Sequence, residues 1–289
     1  MKKFFKENKA YLYLLPALII LAIFVFYPII NSVILSLTYK GGFSFKWYEV
    51  IFKNNTFIKA LTNTLIYALI TTPLCLVISL VISFALNYVK KLNQTFQVIF
   101  FLPYVTSTIA IGLVFLWMFH SNYGIINHMI SAMGLTPQEW LTNPALALPT
   151  IIIFGVWKGL AFNILIIFTA LQTIDPNLEK AALIDGASSI KTFIKIKLPQ
   201  IRPVLIYLLI INVINSLKVY DEVVSLFGTK AAGTGNSGIT AVYYIYQQTS
   251  QGKFGPAAAA AMVLFAVIFL LTMLNKMISS KKGKGKREK

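Results

Sequence analysis

Six stretches of the chain are apolar for long enough to cross the roughly 30 Å of hydrocarbon in a bilayer, which takes about 20 helical residues at 1.5 Å each. They fall at residues 11–37, 62–88, 97–119, 146–173, 203–226 and 256–278. Several exceed the minimum and are expected to tilt or protrude. Period-two alternation of polar and apolar positions is absent, which excludes a β-barrel and predicts an all-α integral membrane protein with six transmembrane helices. The first run follows Lys2, Lys3, Lys6 and Lys9 but ends in no small-residue cleavage site. At about twice the length of a secretory h-region, it reads as a retained helix. Prolines 16, 28, 73 and 103 lie in or near these helices, where neighbouring groups satisfy the freed backbone.

Composition agrees: 57% of residues are hydrophobic and 12% charged, and the mean hydropathy is +0.73, far from a soluble domain. Twenty-six Lys and Arg against nine Asp and Glu give a net charge of +17. In a soluble chain that excess would suggest nucleic acid; here it sorts by loop. With the N-terminus cytoplasmic, the inner segments hold four, two, five and seven cations, eighteen in all, against six outside, while Lys158 and Lys218 fall inside helices. That is a strong positive-inside bias, and it predicts a multi-pass membrane protein with both termini in the cytoplasm. Residues 1–289 then read as a single transmembrane domain, with a cytoplasmic loop at 174–202 and a basic tail at 279–289. The tail suits anionic membrane lipid, so lipid is an expected partner and nucleic acid is not.

Chemistry is missing from the usual places. No glycine-rich phosphate loop ending in Gly-Lys-Ser/Thr follows a strand, so the chain is not expected to hydrolyse ATP. His120 and His128 have no carboxylate or thiolate partners at ligand spacing, and the single cysteine, Cys75, sits in an apolar run. Glu7, Glu49, Glu139 and Glu288 lie in polar flanks or loops. No catalytic constellation, metal site or cofactor site is predicted, and the chain does not read as an enzyme.

Residues 174–202, IDPNLEKAALIDGASSIKTFIKIKLPQIR, form a 29-residue polar segment in a protein whose other internal cytoplasmic loop is under ten residues. Asp175 and Pro176 suit a helix start, because the Asp side chain accepts from first-turn amides and Pro at N1 loses no bond. LEKAALI propagates that helix and Gly186 ends or bends it. A second short amphipathic stretch carries Ile190, Phe193, Ile194 and Ile196 among lysines, until Pro199 and Pro203 stop it. On these residues alone, a helix pair lying on the bilayer surface fits as well.

The spacing of Ala181-Ala182, four residues to Gly186, then ten to Ile196 and Leu198-Pro199, resembles the EAA loop of ABC importer permeases, particularly the sugar and glycerol-phosphate branch. The resemblance extends through YLYLLPALIILAIFVFYPII, NTLIYALI, YGIIN, WKGLAFN, Leu171-Gln172, IDGAS, KVYDEVV and AVYYIY, nearly the whole chain. It implies one of a pair of six-helix permeases, forming a heterodimer in the membrane with two cytoplasmic ATP-binding cassette subunits and an extracytoplasmic sugar-binding protein. The loop would then be the coupling helix inserted into a cleft of the ATPase, with Glu179, Lys180, Ala181, Ala182, Asp185 and Gly186 at the contact. One position departs: the family's glutamate stands six residues before the glycine, where this chain has Lys180 and places Glu179 one residue earlier. A neighbouring position is rotated by about 100° around a helix, so Glu179 cannot take over the same contact.

Ionisable groups inside the membrane cost about 2.5 to 3.5 kcal/mol each at a helix centre. Lys158 and Lys218 are expected at the same level, about 22 Å above the inner face by helical rise. In an unbroken fifth helix, Asn212, Asn215, Lys218 and Glu222 form one polar stripe bordered by Tyr220 and Asp221. Asn163 and Trp157 on the fourth helix are expected opposite. Amides and aromatic faces are the groups that recognise a sugar, so these nine residues are candidates for a substrate path. Two other readings stay open: Lys158 snorkelling outward, and the asparagines joining helices by hydrogen bonds. Gly155 and Gly159 form GxxxG, read as a close-packing face. The predicted function is a permease subunit of an ATP-driven sugar importer. A secondary, ion-coupled transporter is the alternative, and it would need coupling carboxylates within the helices and often an inverted repeat.

Overall fold

The computed structural model describes residues 9–88 and 93–284. Lys90, Lys91, the first eight residues and residues 285–289, several of them cations of the inner segments, lie outside the described residues. The first apolar run is one long rod: α1 (Lys9–Leu21) passes through a π turn at Ala22–Phe26 into α2 (Tyr27–Leu37). A two-stranded hairpin, β1 (Thr38–Tyr39) and β2 (Gly42–Phe43), leads to the short α3 (Lys46–Phe52). Then come α4 (Asn55–Tyr88), α5 (Asn93–Val105), α6 (Thr108–Met118), α7 (Ile125–Ala132) and α8 (Ala147–Gln172). The polar segment holds α9 (Pro176–Ile184), α10 (Ser189–Thr192), a π turn at Phe193–Lys197 and α11 (Leu198–Gln200). Last are α12 (Arg202–Leu217), α13 (Asp221–Phe227), α14 (Ala241–Ser250) and α15 (Phe254–Lys284).

Among the described residues, four helices are long and apolar enough to span: Tyr13–Leu37, Asn55–Asn87, Ala147–Gln172 and Phe254–Met277. Two further spans arise only if bent pairs count as one crossing each: Val98–Val105 with Thr108–Met118, bent by 103°, and Ser189–Gln200 with Arg202–Leu217, bent by 70°. The third apolar run is therefore not the straight helix that hydropathy predicts, and the fifth is preceded by a bend at residue 201. At the first bend Thr106 turns its hydroxyl back to the Leu102 carbonyl, 2.8 Å away, and Ser107 is extended at ψ 129°. The predicted helix over 203–226 stops at Leu217 and resumes at Asp221; the Val219 carbonyl freed by this break accepts from Thr240 Oγ1 at 2.9 Å.

The centre of the bundle is α8, half of whose apolar window is buried, whereas none of the corresponding window within Tyr13–Leu37 is. α8 packs along α4 through small residues. A Cβ at Gly155 would coincide with the Tyr67 hydroxyl, and one at Gly159 would lie 2.8 Å from Cys75 Sγ. At a spacing of four residues, Cys75, Ser79 and Ser83 donate to the carbonyls of Val156, Leu160 and Ile164 at 3.5, 3.5 and 3.2 Å. This is how apolar helices join in lipid, where no hydrophobic force draws them together and close backbones with polar side chains supply the attraction. The main core, with Phe57, Phe115, Phe154, Tyr243 and Tyr244, lies at the α6, α13 and α14 end. A smaller core of Ile167, Leu171, Phe193, Ile201 and Leu208 anchors the polar segment, with Phe84 edge-on to Phe193 at 4.5 Å.

Candidate translocation cavity and coupling segment

A cavity of about 720 Å³ opens between α4, α5, α8, α12 and the α12–α13 break. Asn212, Asn215, Lys218, Tyr220, Asp221 and Glu222 all line it, and Lys158 faces them from α8. The stripe argument reaches this set by a route that the structure corrects. Its helical phase holds only as far as Lys218, and the break turns Tyr220, Asp221 and Glu222 toward the cavity. The sequence alone offers no Pro or Gly between 217 and 221 to mark that break.

Two candidates stand elsewhere. Trp157, one residue from Lys158 and so about 100° around the helix, is 39% exposed and packs on Phe115 at 5.1 Å, off the cavity wall. Asn163 is fully buried and exchanges amide hydrogen bonds with Asn212, its Nδ2 donating at 3.3 Å and its Oδ1 accepting at 3.1 Å. This pair joins helices, while Asn212 also borders the cavity. Lys158 does not snorkel to the surface: its Nζ bonds Thr108 Oγ1 and lies 3.7 Å from Glu222 Oε1. The side chains of Asn215 and Lys218 are exposed to the cavity space with no polar partner among the described residues.

Other wall residues escaped the sequence reading. Tyr104, stacked on Phe162 at 5.2 Å, and Tyr207 bring aromatic faces. Thr71, Thr72 and Ser216 form a hydroxyl cluster, with oxygens 3.1 and 3.3 Å apart. Their signal was faint, because single Thr, Ser and Tyr residues inside apolar runs carry no charge.

The polar segment starts as its residues dictate. Asp175 Oδ1 accepts from Asn177 N at 2.9 Å with Pro176 at N1, and Gly186 closes α9 at φ +74°. Glu179 points back into the chain, bound to the 3% exposed Lys197 at 2.8 Å. Ala182 is buried too, against the expectation that it contributes to an outer docking face. The outward face instead includes Leu178, Lys180, Ala181, Leu183, Ile184 and Asp185, with Ile184 86% exposed. An acidic residue at a helix C-terminus opposes the helix dipole, so Asp185 does not stabilise α9. His120 stacks on Tyr123 at 3.5 Å, and His128 is exposed on α7.

Comparison with known proteins agrees with this geometry. Residues 76–284 match the family described as binding-protein-dependent transport system inner membrane component. The chain is 37% identical over 275 residues to the probable ABC transporter permease protein MG188 of Mycoplasma genitalium, covering 90% of this chain and 82% of that one. It is 32% identical to the arabinooligosaccharides transport system permease protein AraP of Bacillus subtilis, covering 97% and 91%. It superposes with a TM-score of 0.84 and 27% identity on a chain of a bacterial alginate ABC transporter solved in complex with an alginate pentasaccharide-bound periplasmic protein, covering 97% of each. The chain belongs to the inner-membrane permease components of binding-protein-dependent ABC transport systems.

Proposed function

We propose that this chain is one of two permease subunits of an ATP-driven sugar importer and supplies half of its translocation path. The observation that carries the reading is the cavity itself, an unpaired amide, a hydroxyl cluster and aromatic faces inside an otherwise apolar bundle. Sugars need that mixture of hydrogen-bonding groups and flat apolar surfaces. The relative named for arabinooligosaccharides and the alginate system with its periplasmic protein support a carbohydrate delivered by an extracytoplasmic binding protein. Six spans with both termini in the cytoplasm would set residues 174–202 on the inner face, with the basic tail at 279–289 beside them. There the face of Lys180, Ala181, Leu183, Ile184 and Asp185, with Gly186 behind it, docks on one of two ATP-binding cassette subunits. Glu179 and Ala182 support the fold of this segment from within. Asn212, Asn215, Lys218, Tyr220, Asp221 and Glu222 form the wall that the sugar passes, while Asn163 and Trp157 hold the helices behind it.

Purifying the chain with its associates from native membranes and reconstituting them in proteoliposomes tests this. Co-purification of an ATPase subunit and ATP-dependent uptake of an oligosaccharide are expected. Uptake driven by an ion gradient without ATP would overturn it in favour of a secondary transporter.

A further inference from the structure

The two broken segments meet. α6 begins just after the bend at 106–107, α13 just after the break at 218–220, and the two short helices pack so closely that a Cβ at Gly112 would coincide with the Ser225 side chain. The unbroken α8 holds both at the ends nearest their breaks. From it, Lys158 bonds Thr108, the first residue of α6, and pairs with Glu222 in the first turn of α13. Phe115 of α6 extends the contact, 4.6 Å from Phe154 of α8. Both charged side chains are largely withdrawn from solvent, at 22% and 17% exposure, where an unmatched ion is costly. One lysine thus satisfies a carboxylate and a hydroxyl on two different half-helices.

We infer that Lys158 is a positioning residue that fastens α6 and α13 to α8 as one body. Its ammonium is engaged by Glu222 and Thr108 and is not the group that holds the sugar. The inference rests on the transport reading above and assigns a positioning residue within it.

Two measurements on the reconstituted complex test it. Spin labels at Leu113→Cys on α6 and Thr229→Cys just past α13, both exposed sites, in a Cys75→Ser chain should keep one separation in the nucleotide-free and ATP-bound states. A Leu113–Thr229 separation that differs between the states overturns the single body. That reading requires no sugar uptake, so it stands apart from a failure of the proposed function. Kinetically, Lys158→Met should lower the maximal uptake rate about tenfold or more with the half-saturating concentration within about twofold, and Lys158→Glu with Glu222→Lys should recover a substantial part. A rise in half-saturation alone, with no recovery in the swapped pair, makes Lys158 a sugar ligand and overturns the inference. If Lys158→Met does not assemble, the spin-label separations decide.

Discussion

Asn163 and Asn215 are the same side chain in opposite circumstances, and the difference sets what each does. Asn163 has no exposure and both of its amide bonds go to Asn212. Its replacement by Leu removes both bonds and leaves the Asn212 amide without its partner on α8. An unsatisfied buried polar group costs about 1 to 3 kcal/mol, although such bonds in membrane proteins average nearer 0.6. Asn163→Leu should therefore lower the melting temperature of the purified chain in detergent. Asn215 faces the cavity with its amide unpaired among the described residues. Asn215→Leu should leave melting unchanged and reduce uptake. A melting shift in Asn215→Leu equal to that in Asn163→Leu would make Asn215 another helix-joining residue and remove it from the sugar path.

Among the elements, two glycines illustrate what kind of contact each helix was built for. Gly155 on α8 lies under the Tyr67 ring, so any side chain there pushes α4 and α8 apart. At Gly186 a Cβ would meet nothing within 4 Å, and only the positive φ of +74° opposes it. Left-handed backbone costs an L-residue roughly 1 to 2 kcal/mol, small beside the packing of α8. Gly155→Leu is expected to abolish recovery of folded protein from membranes. Gly186→Ala should give a folded, inserted chain whose ATPase stimulation by loaded binding protein is weakened, because the end of α9 is re-aimed. Full stimulation in Gly186→Ala would mean that the cap geometry does not matter to coupling. GxxxG and the Asp-Pro to Gly frame of α9 were readable because backbone chemistry enforces them locally. The Cys75, Ser79, Ser83 series was equally periodic but submerged in an apolar run. The α12–α13 break had no local signature at all, since Thr240, 21 residues away, satisfies the carbonyl that the break exposes. An unbroken-helix phase thus named the right residues for the cavity wall up to Lys218 and reached Glu222 only because the break returned it to the same side.

For the whole molecule, the number of crossings follows from charge once the bends are known. If only the four long helices crossed, residues 88–146 would lie inside and 173–253 outside. The cations would then divide thirteen inside to twelve outside, with Lys158 within α8, and the positive-inside bias would vanish. Letting each bent pair contribute one crossing, with residues 189–202 of the second at the inner face, restores eighteen to six. A bias that large is what orients membrane proteins, so both bent pairs are expected to cross. The two topologies disagree at sites well suited to labelling: Met133, 72% exposed beyond α7, and Ile184, 86% exposed at the end of α9. With six crossings, an impermeant thiol reagent added outside intact cells should modify Met133→Cys and leave Ile184→Cys untouched until the membrane is opened. Four crossings invert both results. That inversion would also carry α9 to the face away from any cytoplasmic ATPase, so the pair of labels tests the orientation and the coupling assignment together.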